Sequence, residues 1–184
     1  MSAVTGRVFT IGHSTRSWED FLSLLREAGV STVVDVRRFP ASRRYPHFGG
    51  PALARALAEA GIGYVHELDL GGRRGPREGS PNVAWHVAAF RGYADHMSSD
   101  AFQAALARLR TLAAGERPAI LCAEAVPWRC HRQLIADALV AAGTPVTHVL
   151  GRGQLRPHEL NPAAQVDARG GLTYPAAVKA PRLF

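Results

Sequence analysis

The 184-residue sequence predicts an α/β fold of one domain: a mostly parallel five-stranded sheet flanked by helices on both faces, with an irregular C-terminal tail. Two observations carry that expectation. Short apolar or β-branched runs alternate with longer stretches of helical periodicity, and the junctions carry Gly, Pro or a capping residue. The second run, Thr32 to Val36, is apolar or β-branched at every position but Asp35, the pattern of a strand covered on both faces.

Taken in order, Arg7 to Ile11 reads as a strand ending in Gly12-His13-Ser14. Ser17, with Asp20 three positions on, caps a helix that buries Phe21, Leu24, Leu25 and Ala28 and stops at Gly29. The strand Thr32 to Val36 leads into a long loop from Arg37 to Gly50, and Pro51 opens a helix that Gly61 closes. Tyr64 to Leu70 is the third strand, and Gly71 to Pro81 is a Gly/Arg/Pro loop. Val83 to Met97 has helical spacing interrupted at Gly92, and Ser98-Ser99-Asp100 caps a helix from Ala101 to Ala113. Ala119 to Cys122 is the fourth strand, Pro127 to Ala142 a helix, and Val146 to Leu150 the fifth strand. Residues 1–160 are expected to form the domain, with 161–184 a tail packed on it or extending from it; the last dozen residues are expected to be mobile.

The 47% hydrophobic and 20% charged fractions are those of a globular chain, and no apolar run approaches the ~20 residues that cross a bilayer. Met1 to Arg7 lacks a signal-peptide pattern, and two cysteines are too few for a secreted disulfide framework. A cytoplasmic protein without a membrane partner is therefore expected. The net charge is +7, carried by arginine, since Lys179 is the only lysine. A basic total suits phosphorylated small molecules or nucleic acid.

The arginines follow the strands. Arg37, Arg38, Arg43, Arg44 and His47 come after the second, Arg73, Arg74 and Arg77 after the third, and Arg129, His131 and Arg132 after the fourth. In a parallel sheet these loops share the carboxyl edge, where ligands bind. With Pro127 as the first helical residue, Arg129, His131 and Arg132 oppose the positive end of the helix dipole, at ~0.3–1 kcal/mol each. A bound anion or a carboxylate such as Glu124 would compensate. Arg37 and Arg132 are therefore expected in one anion site.

Cys122 ends the fourth strand and six residues separate it from Arg129, a layout comparable to cysteine phosphatases and rhodanese-type enzymes. A helix N-terminus and arginines would activate such a thiol, yet a small thiol at a strand end also packs well beneath a helix. Cys130, beside His131, is expected to face a ligand and to alkylate faster than Cys122. Zinc at Cys122, Cys130 and His131 is disfavoured, because the cysteine spacing is not that of a zinc knuckle and arginines surround it; no metal or other cofactor is expected. Asp35 needs a partner in its apolar strand, and Arg37 projects to the same face. Asp35 or Glu124 could serve as a general base. His13, at a strand's carboxyl end, is a better catalytic candidate than His66.

These residues resemble the bacterial and archaeal family called domain of unknown function 488. The resemblance rests on Thr10-Ile11-Gly12-His13-Ser14, Val34-Asp35-Val36-Arg37, Leu70-Gly71-Gly72-Arg73, Phe90-Arg91-Gly92-Tyr93-Ala94, and Cys122-Ala123-Glu124 through Pro127 to Cys130-His131-Arg132. His148 and Gly151 through His158-Glu159-Leu160 fit its C-terminal signature. The resemblance implies a cytosolic α/β domain without an established activity. It groups His13, Asp35, Arg37, Glu124, Cys130, His131 and Arg132 in one site.

The expected function is binding of a phosphate-bearing small molecule, such as a nucleotide, at a site with Asp35, Glu124, Cys130, His131 and His13 as chemical groups and Arg37, Arg43, Arg73, Arg129 and Arg132 as anion contacts. A nucleic-acid protein using the same basic edge, with Tyr45, Phe48, Trp85 or Phe90 stacking bases, is the main alternative. Cysteine phosphatase, sulfurtransferase or thiol redox activity is a third. The sequence holds no P-loop and no dinucleotide fingerprint, and it does not set an oligomeric state.

Overall fold

Five parallel strands form the centre of the sheet: β1 (Val8–Gly12), β2 (Thr32–Asp35), β3 (Gly63–His66), β4 (Pro118–Cys122) and β5 (Val146–Gly151). A sixth, β6 (Gln154–Pro157), pairs antiparallel with β5, giving the order β3-β2-β4-β1-β5-β6. The computed structural model describes residues 6–176.

Period-two alternation sends successive strand residues to opposite layers. Phe9 and Ile11 of β1, Val33 of β2 and Leu121 of β4 pack beneath α1 (Trp18–Glu27) and α2 (Gly50–Glu59), against Phe21, Leu25, Leu53 and Leu57. Val8, Val34 and Ile120 face the other way, toward α3 (Ala88–His96), α4 (Asp100–Gly115) and α5 (Arg132–Ala141), against Tyr93, Phe102, Leu109 and Leu134. Helices on both faces follow from this two-sided burial.

Local signals act where the sequence places them. The Asp20 amide donates to Ser17 Oγ at 3.1 Å to start α1, and Gly29 ends that helix at φ +67°. The Phe102 amide donates to Ser99 Oγ at 3.2 Å at the start of α4.

Four expectations are revised. The third strand ends at His66, and a 3-10 turn at Leu68–Leu70 follows. Gly92 lies inside an unbroken α3, because a Cβ there would sit 2.2 Å from the Arg74 carbonyl oxygen: the glycine admits the Arg74-Gly75 backbone against the helix. Pro127 opens a 3-10 turn, Pro127–Arg129, and α5 starts only at Arg132 because Cys130 is extended, at φ −140° and ψ 152°. The tail is more regular than expected. It supplies β6 and a small hairpin of β7 (Gln165–Val166) and β8 (Leu172–Thr173), with Tyr174 fully buried. The expected mobility of the last dozen residues falls largely on 177–184, outside the described residues.

The registers bring β1, β2 and β4 to a common end. Gly12 pairs with Cys122 and Asp35 with Leu121; the His13 amide donates to the Cys122 carbonyl and the Val36 amide to the Leu121 carbonyl, each at 3.0 Å. Whatever follows those strands in sequence therefore meets there.

Candidate functional site

At that edge a cavity of about 290 Å³ opens between the loops after β1, β2, β3 and β4. His13 enters from β1; Arg37, Arg38, Phe39 and Ser42 from β2; Gly72 and Arg73 from the loop beyond β3; and Cys122, Ala123 and Glu124 from β4. His131 closes the wall from just ahead of α5.

Asp35 is fully buried and stands behind this wall rather than on it. Arg37 grips it with two bonds, Nε to Oδ1 at 2.8 Å and Nη2 to Oδ2 at 2.6 Å, and its own amide donates to Oδ1 at 3.1 Å. Tyr64 donates its hydroxyl to Oδ2 at 2.8 Å, and the remaining arm of Arg37 donates to the Phe48 carbonyl at 2.8 Å. Buried charge is tolerated because each is fully paired. The pair fixes the start of the Arg37–Gly50 loop.

Arg38 and Arg73 have free guanidinium faces: neither makes an ion pair among the described residues. Arg38 Nη1 donates to the Arg73 carbonyl at 3.1 Å, tying the two loops together. Both guanidinium carbons lie over the Phe39 ring, at 5.8 and 5.9 Å from its centroid, while that ring is 64% exposed. Among the described residues, Glu124 is the only carboxylate on the cavity wall.

Cys122 lines the cavity, and Cys130 lies behind it, 3% exposed. The two sulfurs and one ring nitrogen of His131 all lie within 4.8 Å of one another. The His131 Nε2 donates to the Val36 carbonyl at 3.0 Å, and the other ring nitrogen, Nδ1, lies 3.6 Å from Cys130 Sγ. Gly72 permits this placement, since a Cβ there would lie 2.9 Å from that Nδ1. Arg132 is 1% exposed and does not reach the cavity. Its backbone N and its Nε each lie 3.5 Å from Cys130 Sγ, and its Nη2 donates to the Glu124 carbonyl at 2.6 Å.

These surroundings split the thiols. Burial pushes Cys130 up, but the hydrogen bond from Cys122 and the Arg132 charge outweigh it and bring it down to about 6. The bond it gives to Cys130, together with burial, pushes Cys122 up to about 12. The two titrate as a pair that holds one proton at neutral pH. Chemically the arrangement offers one thiolate and one imidazole beneath a basic mouth. His13 is uncharged: burial takes it down to about 4, and its ring stacks on Phe48 at 4.5 Å with Nδ1 donating to the Ser14 carbonyl at 3.0 Å.

Of the residues singled out from the sequence, His13, Arg37, Arg73, Glu124 and His131 line the cavity, whereas Asp35, Cys130 and Arg132 stand behind it. Arg43 and Arg129 are exposed and line no part of it. Phe39, Ser42 and Gly72 were not among the candidates; an aromatic directly after the Arg37-Arg38 pair was the available signal. Behind β1 lies a second polar group. Thr10 Oγ1 to His148 Nδ1 (2.7 Å), His148 Nε2 to His158 Nδ1 (2.9 Å) and His158 Nε2 to Asp137 Oδ1 (2.7 Å) form one chain of hydrogen bonds, with Tyr174 donating to Asp137 at 2.7 Å.

A family model described as domain of unknown function DUF488 matches residues 17–139, more than half of the chain. The chain belongs to the DUF488 family. The DUF488 match spans Asp35, the arginine loops and the Cys122-to-Arg132 segment, and it ends before the His148–His158 pair. Comparison with curated proteins and with solved structures found no match. Among the described residues of this DUF488 protein, no helix is long and apolar enough to cross a membrane.

Proposed function

We propose that this DUF488 protein binds a small phosphate-bearing ligand of the mononucleotide class in the cavity at the carboxyl ends of β1, β2 and β4. One observation carries the reading: Arg38 and Arg73, neither paired to a carboxylate among the described residues, flank both the cavity and the exposed Phe39 ring. Two guanidinium groups provide forked donors for phosphate oxygens, and an exposed ring beside them provides a face for a base. At about 290 Å³ the cavity suits a phosphate with a sugar rather than a polymer. Arg37 contributes field more than hydrogen bonds, because Asp35 and Phe48 occupy its arms.

Calorimetric titration of the full chain with inorganic phosphate and with nucleoside monophosphates tests this. Both should bind, the nucleotides more tightly. Arg73→Ala or Arg38→Ala should weaken both by about 1–3 kcal/mol, the scale of a charge-assisted hydrogen bond. Phe39→Ala should weaken only the nucleotides. Absence of binding by either probe overturns the reading.

The same Arg38–Phe39–Arg73 surface supports a second reading, single-stranded nucleic acid stacked on Phe39. A polymer would contact several phosphates, so its affinity would fall steeply with salt, by close to one power of salt concentration per phosphate. A mononucleotide would show a slope of about one or two.

A further inference from the structure

We propose that Cys122, Cys130 and His131 bind one divalent cation of the zinc class, with its fourth position open to the cavity. The donor set is two sulfurs and one imidazole nitrogen, all within 4.8 Å of one another. Such S₂N sets select borderline-soft ions, and three protein ligands with an open fourth position mark reactive rather than structural zinc sites.

Distances support a tetrahedral ion. Zinc–sulfur bonds of about 2.3 Å and zinc–nitrogen bonds of about 2.05 Å, at the tetrahedral angle, require a sulfur-to-nitrogen separation of about 3.6 Å. Cys130 Sγ and His131 Nδ1 are 3.6 Å apart. The imidazole is already oriented as a ligand. Its Nε2–H is given to the Val36 carbonyl at 3.0 Å, which leaves Nδ1 as the ring nitrogen on the side of Cys130 Sγ. Donation of the second ring N–H to a backbone carbonyl is the usual outer support of a metal-bound histidine.

Two of the arginines that speak against a cation in the sequence are otherwise engaged in the fold, while Arg38 and Arg73 hold the mouth of the cavity. Arg37 is held by Asp35. Arg132 alone approaches a sulfur, through N–H groups at 3.5 Å from Cys130 Sγ, where it supports a thiolate whether or not that thiolate is bound to metal. Binding would release the remaining thiol protons to solvent, and two thiolates would neutralise the dication. Arg132 would then leave the centre with a net positive charge facing the cavity. Cys122 and His131 are the ligands on that wall, so water or an anion from the cavity would take the fourth position.

The site does not depend on the mononucleotide reading, and the experiment separates them. Reduced, chelator-treated full chain is titrated with Co²⁺ in the absence of phosphate. Expected is one equivalent bound, with a near-ultraviolet thiolate-to-cobalt band, visible bands of tetrahedral intensity, and loss of both on adding Zn²⁺. Cys122→Ser and His131→Ala, each checked for folding by circular dichroism, should weaken Co²⁺ binding at least tenfold. If a variant does not fold, protection of both thiols of the unmodified chain from alkylation by one equivalent of Zn²⁺ replaces it. The proposal is overturned by absence of a thiolate-to-cobalt band with both thiols reduced, or by bands unchanged in folded variants. Recovery of a Cys122–Cys130 disulfide that excludes the ion after reduction would also overturn it. Phosphate titration of the metal-free chain reports on the mononucleotide reading alone.

Discussion

Arg132 turns its guanidinium onto Cys130: its Nε lies 3.5 Å from the sulfur and its Nη2 2.6 Å from the Glu124 carbonyl. A residue that the sequence marks as an anion contact therefore serves the thiol and the loop over it. No carboxylate lies within ion-pair distance of it among the described residues. The loop also depends on Gly12, where a Cβ would sit 1.7 Å from the Glu124 oxygen and 3.0 Å from Arg132 Nη2.

Arg132→Met keeps much of the volume and removes these side-chain donors, taking a charged partner from the buried Cys130 sulfur and the tie to the Glu124 carbonyl. A destabilisation of about 2–4 kcal/mol is expected. Urea unfolding of the variant against the unmodified chain measures it. A loss below about 0.5 kcal/mol, the scale of an ordinary surface substitution, would mean that Arg132 supports nothing.

The Asp35–Arg37 pair should behave as a unit. Asp35→Asn leaves a buried guanidinium without its counter-charge and should destabilise by about 3–5 kcal/mol, whereas Tyr64→Phe, which removes one neutral donor, should lose about 1 kcal/mol. In the double variant Asp35→Asn with Arg37→Met the loss should fall well short of the sum of the single losses. Additive losses would show that the pair is not coupled.

Much of this arrangement was legible in the sequence because parallel strands send their following loops to one edge. That rule alone brings His13, Arg37, Arg73, Glu124 and His131 together, and the β-branched run around Asp35 signals that its carboxylate needs a partner. The depth of each side chain was not legible. Cys122 and Cys130 exchange their expected positions because Cys130 is extended, which delays α5 and turns its sulfur inward. β6 was hidden by its exposure: all four residues face solvent, so no hydrophobic alternation marks it. The His148–His158 chain was equally silent, since a histidine within a strand gives no sign of its hydrogen-bond partner.

Gly72 is a steric requirement of the His131 position. Gly72→Ala would place a methyl 2.9 Å from His131 Nδ1, whereas Gly75, in the same loop, has open space around a built Cβ. Gly72→Ala should therefore destabilise by about 1–3 kcal/mol, the usual range for overpacking, and Gly75→Ala by about 0.5 kcal/mol or less. Thermal melts of the two variants side by side provide the comparison. Equal melting temperatures would mean that the loop relaxes freely around the ring.

Acid sensitivity should come from histidines held neutral. Burial first, and after it the nearby Arg132 and Arg156 charges, lower His148 from 6.5 to about 3. The directional chain explains why it stays uncharged: with Asp137 accepting from His158 Nε2, the His158 Nδ1 accepts from His148 Nε2, and His148 Nδ1 accepts from Thr10. A second proton on His148 would have to displace the Thr10 hydroxyl. Above pH 6.5 neither the folded nor the unfolded chain protonates this ring, so it adds no pH dependence. Below that, the unfolded chain takes up a proton that the folded chain refuses, and stability falls as pH falls until about pH 3. The slope is at most about 1.4 kcal/mol per pH unit from this residue, or about 2 kcal/mol between pH 6.5 and about 5. His148→Gln removes the titrating group. Urea unfolding at about pH 7, 6 and 5 should therefore show a shallower acid loss in the variant than in the unmodified chain, by close to that amount. Parallel pH curves for the two proteins would mean that His148 is protonated as easily folded as unfolded, and that the Thr10–His148–His158–Asp137 chain does not hold it neutral.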